Sequence, residues 1–306
     1  MGAQLASESA DRLTRARACL EGLSVGDAFG ELFITLNAAA QVFYITNRHL
    51  PPVFMRYTDD TNMALSIYAL LRDAGQIDQD ALAKHFAEHF QTNRGYGQGA
   101  RRLLKTLQEG ADWRSASKQL FGGQGSFGNG AMMRIAPLGA YFADDLDRVV
   151  SEARLSAEVT HAHAEGIAGA IAVAAAAAYA ARLRGDQIPT RKAFLDLILQ
   201  HVPRSTVYDN IVQARDFPTG VSVNHLATMV GNGSQVSAQD TVGYCLWCAA
   251  EKLDNYEDAL WLTVSGGGDT DTCCAIVGGI VTAYTGIESI PKAWITAREP
   301  LPVWAV

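Results

Sequence analysis

From Ile171 to Ala181 the chain is almost entirely alanine, broken only by Val173 and Tyr179. Alanine is the strongest helix former, and its small side chain lets a neighbouring backbone come close. The run therefore predicts a central helical strut over residues 162–184, with other helices packed tightly around it. Its most apolar part, residues 167–181, is too short to span a bilayer and reads as a buried helix.

Helical periodicity recurs along the rest of the chain, over residues 11–26, 60–73, 78–91, 98–108, 129–142, 147–158, 191–199, 240–252, 256–264 and 271–284. The first of these is expected to stop at Gly26. Alternating β-branched runs are scarce, so the expected fold is all-α, a compact single-domain helical bundle over residues 1–306. Segments 31–58, 92–97, 121–128, 203–237 and 265–268 read as loops, and long loops in helical domains tend to carry function.

A formal charge of -7 over 306 residues argues against a surface built to grip polyanions. Residues 1–18 mix charges with small side chains, unlike a secretory signal, and no membrane partner is expected. Five cysteines do not suggest a disulfide framework. Cys245 and Cys248 form a C-x-x-C inside a packed helical stretch rather than an evident zinc or redox motif. The expected compartment is the reducing cytoplasm. Asn232-Gly233-Ser234 matches a glycosylation acceptor only by chance in that setting.

Two acidic runs lie roughly two hundred residues apart, Thr58-Asp59-Asp60-Thr61 and Gly268-Asp269-Thr270-Asp271-Thr272, each leading into a helix. Aspartate and threonine in that position are ordinary helix N-caps. They are equally the hard oxygen donors of a magnesium or manganese site, should the fold join them. A cap needs one carboxylate, whereas each run offers two. A helix N-terminus would also keep them ionised, as a metal ligand must be.

The stretch Gly122-Gly123-Gln124-Gly125-Ser126-Phe127-Gly128-Asn129-Gly130 is a glycine-rich loop feeding a helix, suited to phosphate oxygens. It fits neither the P-loop nor the dinucleotide fingerprint. Of His161 and His163, two apart at a helix start, one at most should face a site. His161 is the better ligand-contact candidate, and a capping or packed role stays open. Tyr96, flanked by Gly95 and Gly97, could cover a ribose or base, or mark a surface turn. Asp27 and Glu31 place two acids at a loop mouth, as glycosidic hydrolysis requires. Asp27 may alternatively hold loop amides, leaving Glu31 the freer base.

Taken in order, Gly26-Asp27-Ala28-Phe29-Gly30, Thr58-Asp59-Asp60-Thr61, Gly125-Ser126-Phe127-Gly128-Asn129-Gly130, Thr160-His161 and Gly267-Gly268-Asp269-Thr270-Asp271-Thr272 resemble an ADP-ribosylglycohydrolase of the type that reactivates dinitrogenase reductase. The resemblance covers a motif-bearing core of about 15–285. It implies an all-α fold with a binuclear Mg²⁺ centre, Mn²⁺ being an alternative ion. The implied metal ligands are Thr58, Asp59, Asp60, Asp269, Asp271 and Thr272. Ser126, Phe127, Gly128, Asn129 and Gly130 match the diphosphate and ribose loop, and His161 the histidine that contacts the ligand. Many members carry a glutamate seven residues after the aspartate of the Gly-Asp motif, where this chain has Ile34. Glu31 then stands in as the candidate water-activating group.

The expected activity is Mg-dependent hydrolysis at the anomeric carbon of the distal ribose, releasing ADP-ribose from an acceptor. Glu31, Asp60 and Asp269 are the expected catalytic residues. Arginine-linked ADP-ribose on a protein or small molecule is the first-choice substrate, with serine, nucleic-acid and acetyl linkages as alternatives. The rival readings are a metal-dependent phosphoester or pyrophosphate hydrolase and a non-catalytic ADP-ribose-binding relative.

Overall fold

A computed structural model describes residues 2–305. Among them there are sixteen α-helices and no strand: α1 (Gly2–Ile34), α2 (Ala38–Asn47), α3 (Asp59–Ala74), α4 (Gln79–Glu88), α5 (Gln98–Gln108), α6 (Trp113–Gly123), α7 (Ala136–Tyr141), α8 (Leu146–Glu158), α9 (Ala164–Arg182), α10 (Arg191–Leu199), α11 (Thr206–Asp216), α12 (Val223–Val230), α13 (Ala238–Glu251), α14 (Tyr256–Ser265), α15 (Thr270–Thr285) and α16 (Lys292–Ala297). The all-α expectation is met.

Gly26 does not end the first helix. Gly22, Gly26 and Gly30 repeat at intervals of four, so they form one stripe along α1. A Cβ on Gly22 would lie 2.6 Å from the Gly278 carbonyl oxygen, on Gly26 2.1 Å from that of Cys274, and on Gly30 2.1 Å from that of Thr270. These glycines are contact surfaces where α1 runs antiparallel to α15, backbone against backbone. Because the crossing is antiparallel, the end of α1 that carries Asp27 and Glu31 lies beside the start of α15 that carries Asp269 and Asp271.

The alanine strut is α9, buried along nearly its whole length. A Cβ on Gly139 of α7 would fall 2.1 Å from the Ala174 carbonyl oxygen, so this packing too is limited by backbone contact. Helix α9 spans 19 residues and is long and apolar enough to cross a membrane, yet 78% of its most apolar window is covered by the protein itself. All five cysteines are free and buried, and the C-x-x-C of α13 is packed core.

Four differences from expectation have local causes. The helix expected over 129–142 splits into a 3-10 turn at Asn129–Ala131 and α7, with Pro137 in the first turn of the latter. Segment 31–58 contains α2, which has no buried residue and hence little amphipathic signature. Helix α6 follows Asp112, whose carboxylate accepts from the Ser115 amide. Segment 203–237 contains α11 and α12, capped by Ser205 and Ser222.

Candidate active site

Asp27 of α1 is fully buried and organises the start of α3. Its carboxylate accepts from the Thr58 amide at 2.9 and 3.0 Å, the Thr61 amide at 3.0 Å and the Thr61 hydroxyl at 2.6 Å. The Thr58 hydroxyl lies 2.8 Å from both Asp27 Oδ1 and Asp60 Oδ2. The Thr58 and Thr61 amides at the start of α3 are thus satisfied by a carboxylate from another helix, and the Asp59 amide donates to the Arg94 carbonyl at 2.7 Å. Neither Thr58 before α3 nor Asp269 before α15 makes a side-chain cap. Capping therefore does not explain the acidic runs, and Asp27 takes the amide-holding role.

Asp269 is fixed from two sides. Its amide donates to the Asn232 carbonyl at 3.2 Å, and Asn129 Nδ2 donates to its Oδ2 at 2.7 Å. Asn232 also donates from its side chain to the Gly266 carbonyl, so the stretch that mimics a glycosylation acceptor is a brace for the second acidic run. Asp271 Oδ1 accepts from the Thr272 amide at 2.8 Å. The two runs meet: Asp59, Asp269, Asp271 and Thr272 line one cleft of about 830 Å³, with Asp60 buried below.

Burial, and then the charge of Asp27, push the Asp59 carboxyl upward. For Asp60 burial is again the largest cause, followed by Asp27, Asp59 and Asp269. Asp271 is raised by burial and by Asp60, Asp269 and Asp27. Repulsion and desolvation thus outweigh the helix amides expected to keep these acids ionised. A divalent cation would reverse the balance. Asp60 Oδ1 is buried without a partner, and every donor in the set is a hard oxygen, so the residues fit Mg²⁺ or Mn²⁺. Among the described residues no three His, Cys, Asp or Glu side chains stand close enough to form a ready-made cage.

The glycine-rich loop forms the facing wall, and Ser126, Phe127, Gly128, Asn129, Gly130 and His161 all line the same cleft. The Ser126 hydroxyl accepts from the Gly128 amide at 3.1 Å. Side chains at Gly128 or Gly130 would press on the His161 ring, with a Cβ 3.3 or 3.1 Å from Nε2. His161 is buried and neutral, its pKa pushed down to about 3 by desolvation and by Arg134.

One site expectation changes. Tyr96 does not face the cleft: it is 3% exposed, packs edge-on against Phe90, and its hydroxyl accepts from Asn62 Nδ2 at 2.7 Å. Flanking glycines cannot say which way a tyrosine turns, and burial of its ring decides it. Glu31 occupies the last turns of α1, half-buried and outside the lining of the main cleft. Its carboxyl is raised by desolvation and by Asp27, opposed by Arg56 and further raised by Asp269. Ile34, where an acid was expected from the resemblance, is exposed at the end of that helix.

Sequence reading also missed Phe121. It is 56% exposed on the cleft wall, with its backbone in the left-handed region at φ 51° and its ring 6.0 Å from that of Phe127. Val236, also lining the cleft, shares that conformation. Strained backbone of this kind gathers at functional sites. The only sequence sign was an aromatic abutting the glycine run.

Fold and site together define an all-α protein in which clustered carboxylates face a glycine-rich loop across one cleft. A family model described as ADP-ribosylglycohydrolase matches residues 8–303, and the chain belongs to that family. It is similar to ADP-ribosylhydrolase ARH3 of Gallus gallus, at 29% identity with 97% of this chain and 92% of the relative covered. The ARH3 of Mus musculus is 27% identical, with 95% and 89% covered. ADP-ribosylarginine hydrolase Tri1 of Serratia proteamaculans is 24% identical over 93% of this chain and 75% of its own. A solved structure titled ADP-ribosylglycohydrolase-related protein complex superposes with a TM-score of 0.67 at 25% identity, covering 94% and 93%. The chain is accordingly an enzyme of the ADP-ribosyl-acceptor glycohydrolase class.

Proposed function

We propose that this enzyme depends on a divalent cation and cleaves the bond at the anomeric carbon of the distal ribose, releasing ADP-ribose. The convergence of both acidic runs on one cleft opposite the glycine-rich loop carries the reading. Thr58, Asp59, Asp60, Asp269, Asp271 and Thr272 would hold two Mg²⁺ or Mn²⁺ ions. Ions bound there would supply electrophilic orientation of ribose hydroxyls and a water of lowered pKa. Loop residues 126–130 and His161 bind the diphosphate and adjoining ribose, and Phe121 offers a face on which a base can stack. Glu31 accepts the proton of the attacking water, its raised pKa bringing it nearer neutrality. One relative bears the name of an ADP-ribosylarginine hydrolase, which keeps arginine the first acceptor to test, ahead of serine, nucleic acid or acetyl esters. The five free cysteines support a cytoplasmic setting.

The test is a substrate panel assayed with Mg²⁺ and with a chelator. Free ADP-ribose appearing only with the ion supports the reading. AMP with ribose phosphate would select a phosphohydrolase instead, and binding without release a non-catalytic relative. Glu31→Gln should lower kcat about a hundredfold while ADP-ribose affinity stays within about twofold. A wild-type rate would remove Glu31 from the proton transfer.

Cation and pH are linked. Asp59 goes from an ordinary 3.8 to about 8 in the folded, ion-free protein. A raised carboxyl binds more protons folded than unfolded, so its contribution is present at low pH and lost as pH climbs through the raised value. Between about pH 4 and 8 the ion-free Tm should therefore fall, and added Mg²⁺ should raise Tm more at the alkaline end. Equal stabilisation by Mg²⁺ at both ends would contradict the carboxylate cluster as its site.

A further inference from the structure

Arg134 is fully buried, and its hydrogen-bond partners among the described residues include no carboxylate. Its guanidinium lies over the Phe86 ring, 4.5 Å from the centroid. Nη1 reaches Met63 Sδ at 3.5 Å, while Nη2 donates to the Ser156 carbonyl at 3.0 Å and to the Thr160 hydroxyl at 2.9 Å. Thr160 Oγ1 is in turn 2.7 Å from His161 Nδ1.

The direction of this chain follows from proton counting. Arginine has donors only, so Thr160 must accept from Arg134. The oxygen keeps a second lone pair, but its own buried proton finds a partner among the described residues only at His161 Nδ1, so satisfying every donor has Thr160 donate there. A neutral imidazole that accepts at Nδ1 carries its hydrogen at Nε2. That nitrogen faces Gly128 and Gly130 in the glycine-rich wall of the cleft. We infer that Arg134, acting through Thr160, is a positioning residue that holds His161 in the Nε2–H tautomer, so that the ring offers a hydrogen-bond donor to the acceptor-only oxygens of the bound diphosphate. This rests on the proposed function for the identity of the ligand. Were the relay reversed, the ring would present a lone pair to an anion and repel it.

The tautomer can be read on the free protein by long-range proton–nitrogen NMR of His161. Wild type should show a bare Nδ1 and a protonated Nε2, and Thr160→Ser, which keeps the hydroxyl, should show the same. Thr160→Val should populate the other tautomer and weaken ADP-ribose binding on the order of tenfold in calorimetry, the cost of one mispaired buried donor. A protonated Nδ1 in wild type, or an unchanged tautomer in Thr160→Val, would overturn the inference. If Thr160→Val fails to fold, the wild-type and Thr160→Ser spectra decide alone. Failure of wild type to bind ADP-ribose would remove the functional reading and leave the tautomer spectrum to decide this one.

Discussion

Gly26→Val is expected to cost about 3 kcal/mol or more, at or beyond the top of the usual overpacking range. The new Cβ would lie 2.1 Å from the Cys274 carbonyl oxygen and 2.8 Å from its carbon, both backbone atoms that cannot swing aside. Relief requires opening the crossing of α1 with α15. Gly30 meets the Thr270 backbone and Gly22 the Gly278 carbonyl oxygen in the same crossing, so the strain cannot be passed along the stripe. With total stabilities of about 5–15 kcal/mol, such a loss removes much of the margin. The local rule argues the other way, since replacing a helical glycine normally stabilises an isolated helix. Gly97→Ala supplies the control: its added Cβ meets nothing within 4 Å, and its φ of -60° suits alanine. Urea unfolding followed by circular dichroism should show a large midpoint loss for Gly26→Val and little change for Gly97→Ala. A wild-type midpoint for Gly26→Val would mean that the crossing is looser than the backbone distances imply.

That contrast also explains how far the chain could be read without coordinates. Features carried by a few adjacent residues were legible: the alanine strut, the paired aspartates within each acidic run and the glycine-rich loop. What depends on a distant partner was not. Gly26 reads as a stop unless Cys274 is known to be against it. Asp27 reads either as one acid of a pair or as a holder of loop amides until the amides of Thr58 and Thr61 are seen on its carboxylate. Tyr96 and Phe121 are both aromatics beside glycines, and only the fold turns the first into the core and leaves the second on the cleft wall. Asn232 sat in an apparent surface signal, yet its carbonyl receives the Asp269 amide. Ser205 and Ser222 cap α11 and α12, so both helices carry a start signal in the sequence itself.

Asp60→Asn should lower turnover about a thousandfold or more, corresponding to ~4 kcal/mol of lost transition-state stabilisation, while leaving the ion-free protein at least as stable as wild type. The two halves come from one cause. Without a cation, Asp60 is a buried carboxylate repelled by Asp27, Asp59 and Asp269, with one oxygen unpartnered. Asparagine keeps the shape and removes the charge, so folding loses nothing that the ion-free state relied upon. The Thr58 hydroxyl can still donate to the amide oxygen that replaces Oδ2. With a cation the sign would reverse, because the same charge would become the attraction that holds the ion. Wild type should therefore gain thermal stability on Mg²⁺ addition, and Asp60→Asn should gain much less. Asp269→Ala should lose activity as severely but for a mixed reason, since it also strands the Asn129 amide that donates to it at 2.7 Å. A residue needed only for packing would lose stability and activity together in both states. Stability kept without the ion, with both activity and the Mg²⁺ response lost, is the signature of a ligand, and an Asp60→Asn enzyme of undiminished rate would leave the proposed centre without its deepest carboxylate.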